Sequence, residues 1–123
     1  MAAPNLIGAT TINGKTTGAN LTTTSATTVL NNASGSGKCL KVNTLNVANY
    51  SNASVIISVV FNTGANLGGT SFNIVSNVSL PSGTTLNVID KSSQYYLEEN
   101  SSIGATAGTS NCIHITCSYE EIV

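Results

Sequence analysis

Charge is what this chain has least of: only 7% of its 123 residues are Asp, Glu, Lys or Arg, against about 25% in an ordinary soluble domain. Four lysines and no arginine stand against five acidic residues, for a formal net charge of -1. Without a basic stripe to neutralise phosphates, nucleic-acid binding loses its main source of affinity. Tryptophan is absent and aromatics make up 5%; Tyr95-Tyr96 is their one cluster, where a carbohydrate platform would want more exposed rings. No apolar run approaches the roughly 18 residues of a membrane helix, and the segment from Met1 to Ile7 lacks the basic start and long apolar stretch of an export signal, so neither is expected. Three cysteines, an odd number, argue against a disulfide framework. Cys39 is remote in sequence, and Cys112 and Cys117 fall on opposite faces of one strand, too distant to bridge, so free thiols are expected.

Thr, Ser, Asn and Gly fill the gap, at roughly half of the sequence, and make a surface that is polar but uncharged. Copies of such a chain repel one another weakly, which favours an oligomer, such as a trimer, or packing against a partner. Asn-X-Ser/Thr triplets begin at Asn20, Asn32, Asn49, Asn52, Asn77 and Asn100. In a chain of this composition, with no visible export signal, they read as composition and not as glycosylation sites. The length is that of one domain that can bury about two-thirds of its unfolded surface, enough for a core without staples.

The clearest pattern lies at the end. Ile113, Ile115, Cys117 and Tyr119 alternate with Cys112, His114, Thr116 and Ser118, the period of a β-strand with one buried face. Glu120 and Glu121 are expected to be its solvated end. Upstream, residues 1–20 read as an extended N-terminal arm or edge strand, with Pro4 near its start and Asn13-Gly14 as a hairpin-type turn. Residues 21–123 read as a single β-sandwich domain. Within it, Leu21 to Asn31 is a Thr-rich strand. From Cys39 to Asn49 the apolar phase changes between Val42 and Leu45, which predicts a β-bulge near Asn43-Thr44. Ala53 to Phe61 is apolar on both faces. Ser71 to Leu80 is expected to turn Phe72, Ile74, Val78 and Leu80 inward, and Thr85 to Asp90 to set Leu86 and Val88 opposite Ile89. Tyr95 to Leu97 is a short strand, and Ser102 to Ala107 is expected to pair with the final strand. About eight short strands without an amphipathic helix predict an all-β, two-sheet sandwich, with a jelly roll as a specific possibility.

No catalytic or metal constellation follows from these residues. Cys112 and His114 on one strand face supply two potential zinc ligands where three or four are needed, and the sequence does not place Cys39 as a third. His114, the single histidine, has no acidic residue recognisably placed to orient it. Adjacent carboxylates at Glu98-Glu99 and Glu120-Glu121 point to opposite faces if they lie on strands, which is wrong for a glycosidase dyad. The glycine-rich loop over residues 62–70 lacks the Gly-Lys-Ser/Thr ending and following helix of a phosphate loop, and reads as a wide hairpin connection. No catalytic, cofactor or metal residue is therefore assigned, and no enzyme activity is expected.

The segments Leu86-Asn87-Val88-Ile89-Asp90-Lys91, Tyr96-Leu97-Glu98-Glu99-Asn100-Ser101-Ser102-Ile103 and Ser118-Tyr119-Glu120-Glu121-Ile122, with Pro4-Asn5-Leu6-Ile7-Gly8 and Lys38 to Leu45, resemble the small virion structural proteins of tailed phages, particularly those that infect cyanobacteria. The resemblance spans most of the chain through turns and strand ends. It implies a non-enzymatic part of the virion, assembled in the host cytoplasm in multiple copies against itself and proteins such as the major capsid protein. Within that family the place is a capsid decoration or cement protein, or a neck, collar or tail adaptor for fibres. A host-glycan binding module is the reading from another class.

Overall fold

Strands of β-branched and apolar residues, punctuated by Gly, Asn and Ser, dominate the computed structural model, which describes residues 5–123. The extended start expected around Pro4 lies outside the described residues. Nine strands follow in order: β1 (Ile12–Asn20), β2 (Thr27–Asn32), β3 (Cys39–Asn49), β4 (Val55–Asn62), β5 (Ser71–Leu80), β6 (Thr85–Ile89), β7 (Tyr95–Leu97), β8 (Ser101–Ala107) and β9 (Ile113–Ile122). Two single 3-10 turns, Leu6–Gly8 and Ala65–Leu67, complete the secondary structure.

The strands form two antiparallel sheets, β1-β9-β3-β6 with β7 also on β3, and β2-β8-β4-β5. Since β6 and β7 lie end to end along β3, they act as two halves of one broken strand. Counted so, the order is that of an eight-strand jelly roll. Inward residues of both sheets make one core, with Leu45, Val47, Ile115 and Cys117 from the first and Ile57, Val59, Ile103 and Ala105 from the second. The alternation of β9, buried at Ile113, Ile115 and Cys117 and exposed at His114 and Thr116, is what a sheet with one solvated face requires.

The expected bulge in β3 is present: its register on β9 shifts between Val42 and Thr44, leaving Asn43 unpaired. Other expectations are corrected. Asn13-Gly14 is not a turn but lies inside β1, opposite Glu121 and Glu120, because pairing along all of β9 outweighs a local turn preference. The strand expected from Leu21 starts only at Thr27, while Leu21 is buried, donating its N–H to the Ile113 carbonyl and accepting from Asn111 N–H. In β6 a shift leaves Val88 unpaired, so Leu86 and Ile89 share a face, opposite Val47 and Leu45. In β5 the register on β4 shifts twice, putting Val75 opposite Val59 and Phe72 opposite Phe61 at the sheet end. Phe72 is nevertheless 58% exposed rather than buried: the two shifts cancel and leave it on the face of Phe61, but at the end of an edge strand. The changes in β5 and β6 follow from one rule: a bulge inverts the side chains beyond it until a second bulge restores them.

The last two strands do not pair. β8 belongs to the second sheet and β9 to the first. Their connection spends its backbone hydrogen bonds elsewhere, Gly108 N–H on the Ile56 carbonyl and Asn111 N–H on the Leu21 carbonyl. Strands adjacent in sequence separate here because the connection crosses from one sheet to the other.

Three buried asparagines, Asn32, Asn49 and Asn62, are the last residues of β2, β3 and β4, and none is more than 2% exposed. Each ties the loop that follows it to the sandwich. Asn32 Nδ2 donates to the carbonyls of Lys38 and Leu97, both at 2.9 Å. Asn49 Nδ2 donates to those of Ala53 and Leu80 at 2.8 and 2.9 Å, while its Oδ1 accepts from Ser51 N–H. A buried amide that makes all these bonds replaces the ladder partners the chain loses where a strand stops. Two of these residues head Asn-X-Ser triplets, and their nitrogens are sequestered in the fold.

Candidate functional surfaces

The residues with the most chemical potential are kept apart. His114 projects from the outer face of the first sheet, opposite Asn20 on β1 and Ala48 on β3. Its ring stacks on Tyr50 with centroids 4.0 Å apart and 27° between planes, and Tyr50 Oη donates to Asn20 Oδ1 at 3.0 Å. Gly18, Ala19, Asn20, Ile115 and Thr116 line a shallow groove beside it. Cys112 precedes β9 and its thiol donates to the Ser110 carbonyl at 3.4 Å. Cys39 pairs opposite Ile122, whereas His114 pairs opposite Ala48. Eight residues of β9, roughly 27 Å of strand, separate the two, so Cys39 does not join Cys112 and His114. Among the described residues no three His, Cys, Asp or Glu side chains converge on a point. Cys117 is sealed in the core, and burial pushes its thiol up to about 11, far from the reactive thiolate range.

No protein-family model and no curated protein matches the chain.

The expected solvated acidic end of β9 is instead a charge cluster. Glu121 Oε2 lies 3.3 Å from Lys15 Nζ and 3.4 Å from Lys38 Nζ, and Glu120 Oε2 lies 3.6 Å from Lys41 Nζ. Asn43, displaced by the β3 bulge, donates to Glu120 as well. Register explains the cluster: β9 runs between β1 and β3, so lysines from both flanks reach its end. Partial burial opposes ionisation of Glu121, but the hydrogen bonds and positive charge of Lys15 and Lys38 outweigh it and hold the carboxyl below the usual range. A carboxyl depressed in the folded state stabilises fully above its unfolded value of about 4.3, and loses that contribution as pH falls through the lower folded value. Glu121→Gln is thus expected to lower the melting temperature at pH 7 by about 4 °C or less, consistent with about 1 kcal/mol for exposed pairs. The gap between variant and parent should close as pH falls below 4 and narrow in high salt. A gap that persists at pH 3 would show that lost packing, not charge, is responsible.

The glycine-rich connection is, as expected, a hairpin loop between the paired strands β4 and β5, but it is not loose. It folds over the outer face of the second sheet, and the N–H groups of Ala65, Asn66 and Leu67 are taken in turn by Asn100 Oδ1, Asn31 Oδ1 and Ser102 Oγ, at 3.0, 2.7 and 2.9 Å. Leu67 Cδ2 would lie 2.7 Å from any Cβ added at Gly104, so the glycine in β8 makes room for the loop. With its N–H groups committed to side chains, this loop has no cradle to offer a phosphate.

One concave site joins the two sheets. A pocket of about 190 Å³ is lined by Phe61, Thr63, Tyr96, Glu98 and Ser101. Phe61 is half-buried and packs on the core, whereas Tyr96 is 48% exposed. Along the chain Phe61 ends an apolar strand and Glu98 opens a Glu98-Glu99-Asn100 turn, and nothing there shows that 37 positions of separation close to one pocket.

Proposed function

We propose that this protein is a non-enzymatic structural component of a phage virion, a decoration or cement protein that packs in multiple copies on the assembled shell. The observation that carries the reading is an open, weakly guarded edge. β1 is nine residues long and, among the described residues, hydrogen-bonds to β9 on one side only, so its other side presents backbone groups open to a partner. Its one charged residue, Lys15, is turned to Glu121. Exposed apolar side chains collect beside it: Ile7 is 97% exposed and Ile12 61%, and Thr10 and Thr11 N–H bond to the carbonyl of Val123, itself exposed. An edge of this kind adds a strand or an apolar surface from a neighbour, and the low charge of the chain puts little repulsion in the way. The virion resemblance supplies the setting. The jelly-roll order is compatible with it but adds nothing specific, since the same architecture serves capsid, lectin and cupin domains.

Binding only the assembled shell favours that state by mass action. Particles lacking the protein are therefore expected to release their genome at lower temperature, or under milder osmotic shock, than complete ones. Equal robustness would overturn the cement role. Copy number per particle provides the second check: hundreds fit a decoration protein, and about a dozen fit a neck or tail adaptor instead.

A further inference from the structure

We propose that the pocket lined by Phe61, Tyr96 and Glu98 receives an arginine side chain presented by a partner protein. This assignment stands whether or not the partner belongs to a virion. Three features of the pocket select that chemistry.

The first is an uncommitted carboxylate on an ordered segment. Among the described residues the ion pairs are Lys15 and Lys38 with Glu121, and Lys41 with Glu120. None involves Glu98. The segment that carries Glu98 is nevertheless fixed: Ser101 Oγ donates to the Glu98 carbonyl at 2.6 Å, Glu99 Oε2 accepts from Gly37 N–H at 3.1 Å, and Asn100 Oδ1 accepts from Ala65 N–H. The carboxylate also lies near the Cys39 thiol, which is pushed up by burial and then by Glu98. A half-buried carboxylate without a cation is a standing attraction for one.

The second is the pair of aromatic walls. Phe61 and Tyr96 come from different sheets, and their faces attract a cation, with arginine favoured because its planar guanidinium stacks while its fork reaches a carboxylate. Phe72, opposite Phe61 in β5 and largely exposed, extends the apolar rim for residues flanking the arginine.

The third is the size of the pocket. The volume, about 190 Å³, suits one side chain rather than an oligosaccharide. Because the chain contains no arginine, the side chain comes from a different protein.

The test is a titration of isotope-labelled protein with N-acetyl-arginine methylamide, followed by amide NMR shifts, alongside the lysine and citrulline analogues and methyl glucoside. Shifts confined to the segments around Phe61, Thr63, Tyr96, Glu98 and Ser101, saturating in the millimolar range, are expected for arginine. The lysine analogue should bind about fivefold more weakly, and citrulline and the glucoside should leave the spectrum unchanged. Glu98→Gln should abolish the arginine shifts with the rest of the spectrum retained, since no ion pair among the described residues depends on that carboxylate. Absence of arginine shifts, equal binding of citrulline or glucoside, or undiminished binding by Glu98→Gln would each overturn the proposal. Lysine binding as tightly as arginine would overturn it too, and would point to Lys91 of a second copy, the one lysine outside the three ion pairs.

Discussion

Asn62→Ala is expected to destabilise the protein by about 3 kcal/mol. The Asn62 side chain is 1% exposed; its Oδ1 accepts from Gly64 N–H and Gly69 N–H, both at 2.8 Å, and its Nδ2 donates to Ser71 Oγ at 2.8 Å and to the Gly69 carbonyl at 3.3 Å. Each buried group left without a partner costs about 1–3 kcal/mol, and Gly64 is buried. The loop cannot relax to recover these bonds. A Cβ added at Gly64 would lie 2.5 Å from Gly69 N, so the two limbs of the loop already touch. Urea unfolding gives the check, with a lower midpoint at an unchanged slope. A change below about 1 kcal/mol would mean that the amide is dispensable to the loop. Asn62→Asp, which keeps the acceptor and loses the donors, is expected to be destabilised at pH 7 as well, because it buries a charge without a cation.

Ile115→Ala, at the centre of β9, is the second change with a large expected effect. Ile115 is buried between Ala19 on β1 and Val47 on β3, on the face that meets the second sheet. Truncating a buried isoleucine removes transfer free energy and leaves a cavity, about 2–5 kcal/mol together. That is a large part of the roughly 5–15 kcal/mol that holds a domain folded, and corresponds to a fall in melting temperature of about 15 °C. Ile56→Ala provides the contrast. Ile56 is 51% exposed on the outer face of β4, and its truncation should change stability by less than about 0.5 kcal/mol. If Ile56→Ala proved as costly as Ile115→Ala, the sides of β4 assigned to core and solvent would be reversed.

These two predictions differ in how much of them could be read along the chain. Ile115 sits in a strict alternation, and alternation marks a buried face whatever lies opposite; the sequence alone identified it as core. Asn62 carries no such mark. With asparagine so common here, a buried one looks like the solvated ones until the strand end and the returning loop are seen together. The same holds for the candidate pocket, where Phe61 and Glu98 read as an ordinary strand residue and an ordinary turn residue, and for Glu120-Glu121, whose lysines come from β1, from β3 and from the residue just before β3.

What the sequence determined by itself was the all-β class, the two-sheet sandwich, the positions of most strands and the bulge at Asn43. All of these follow from local periodicity, because a strand with one buried face repeats every two residues. Tertiary structure alone decided that β8 and β9 belong to different sheets, that Asn13-Gly14 is strand and not turn, and that bulges in β5 and β6 set Val75 opposite Val59 and Leu86 on the face of Ile89. It also decided which polar residues are structural. Pairing partners, bulge positions and buried hydrogen bonds depend on contacts between residues tens of positions apart, and a hydrogen-bonding side chain has the same letter whether its partner is water or a carbonyl across the sandwich.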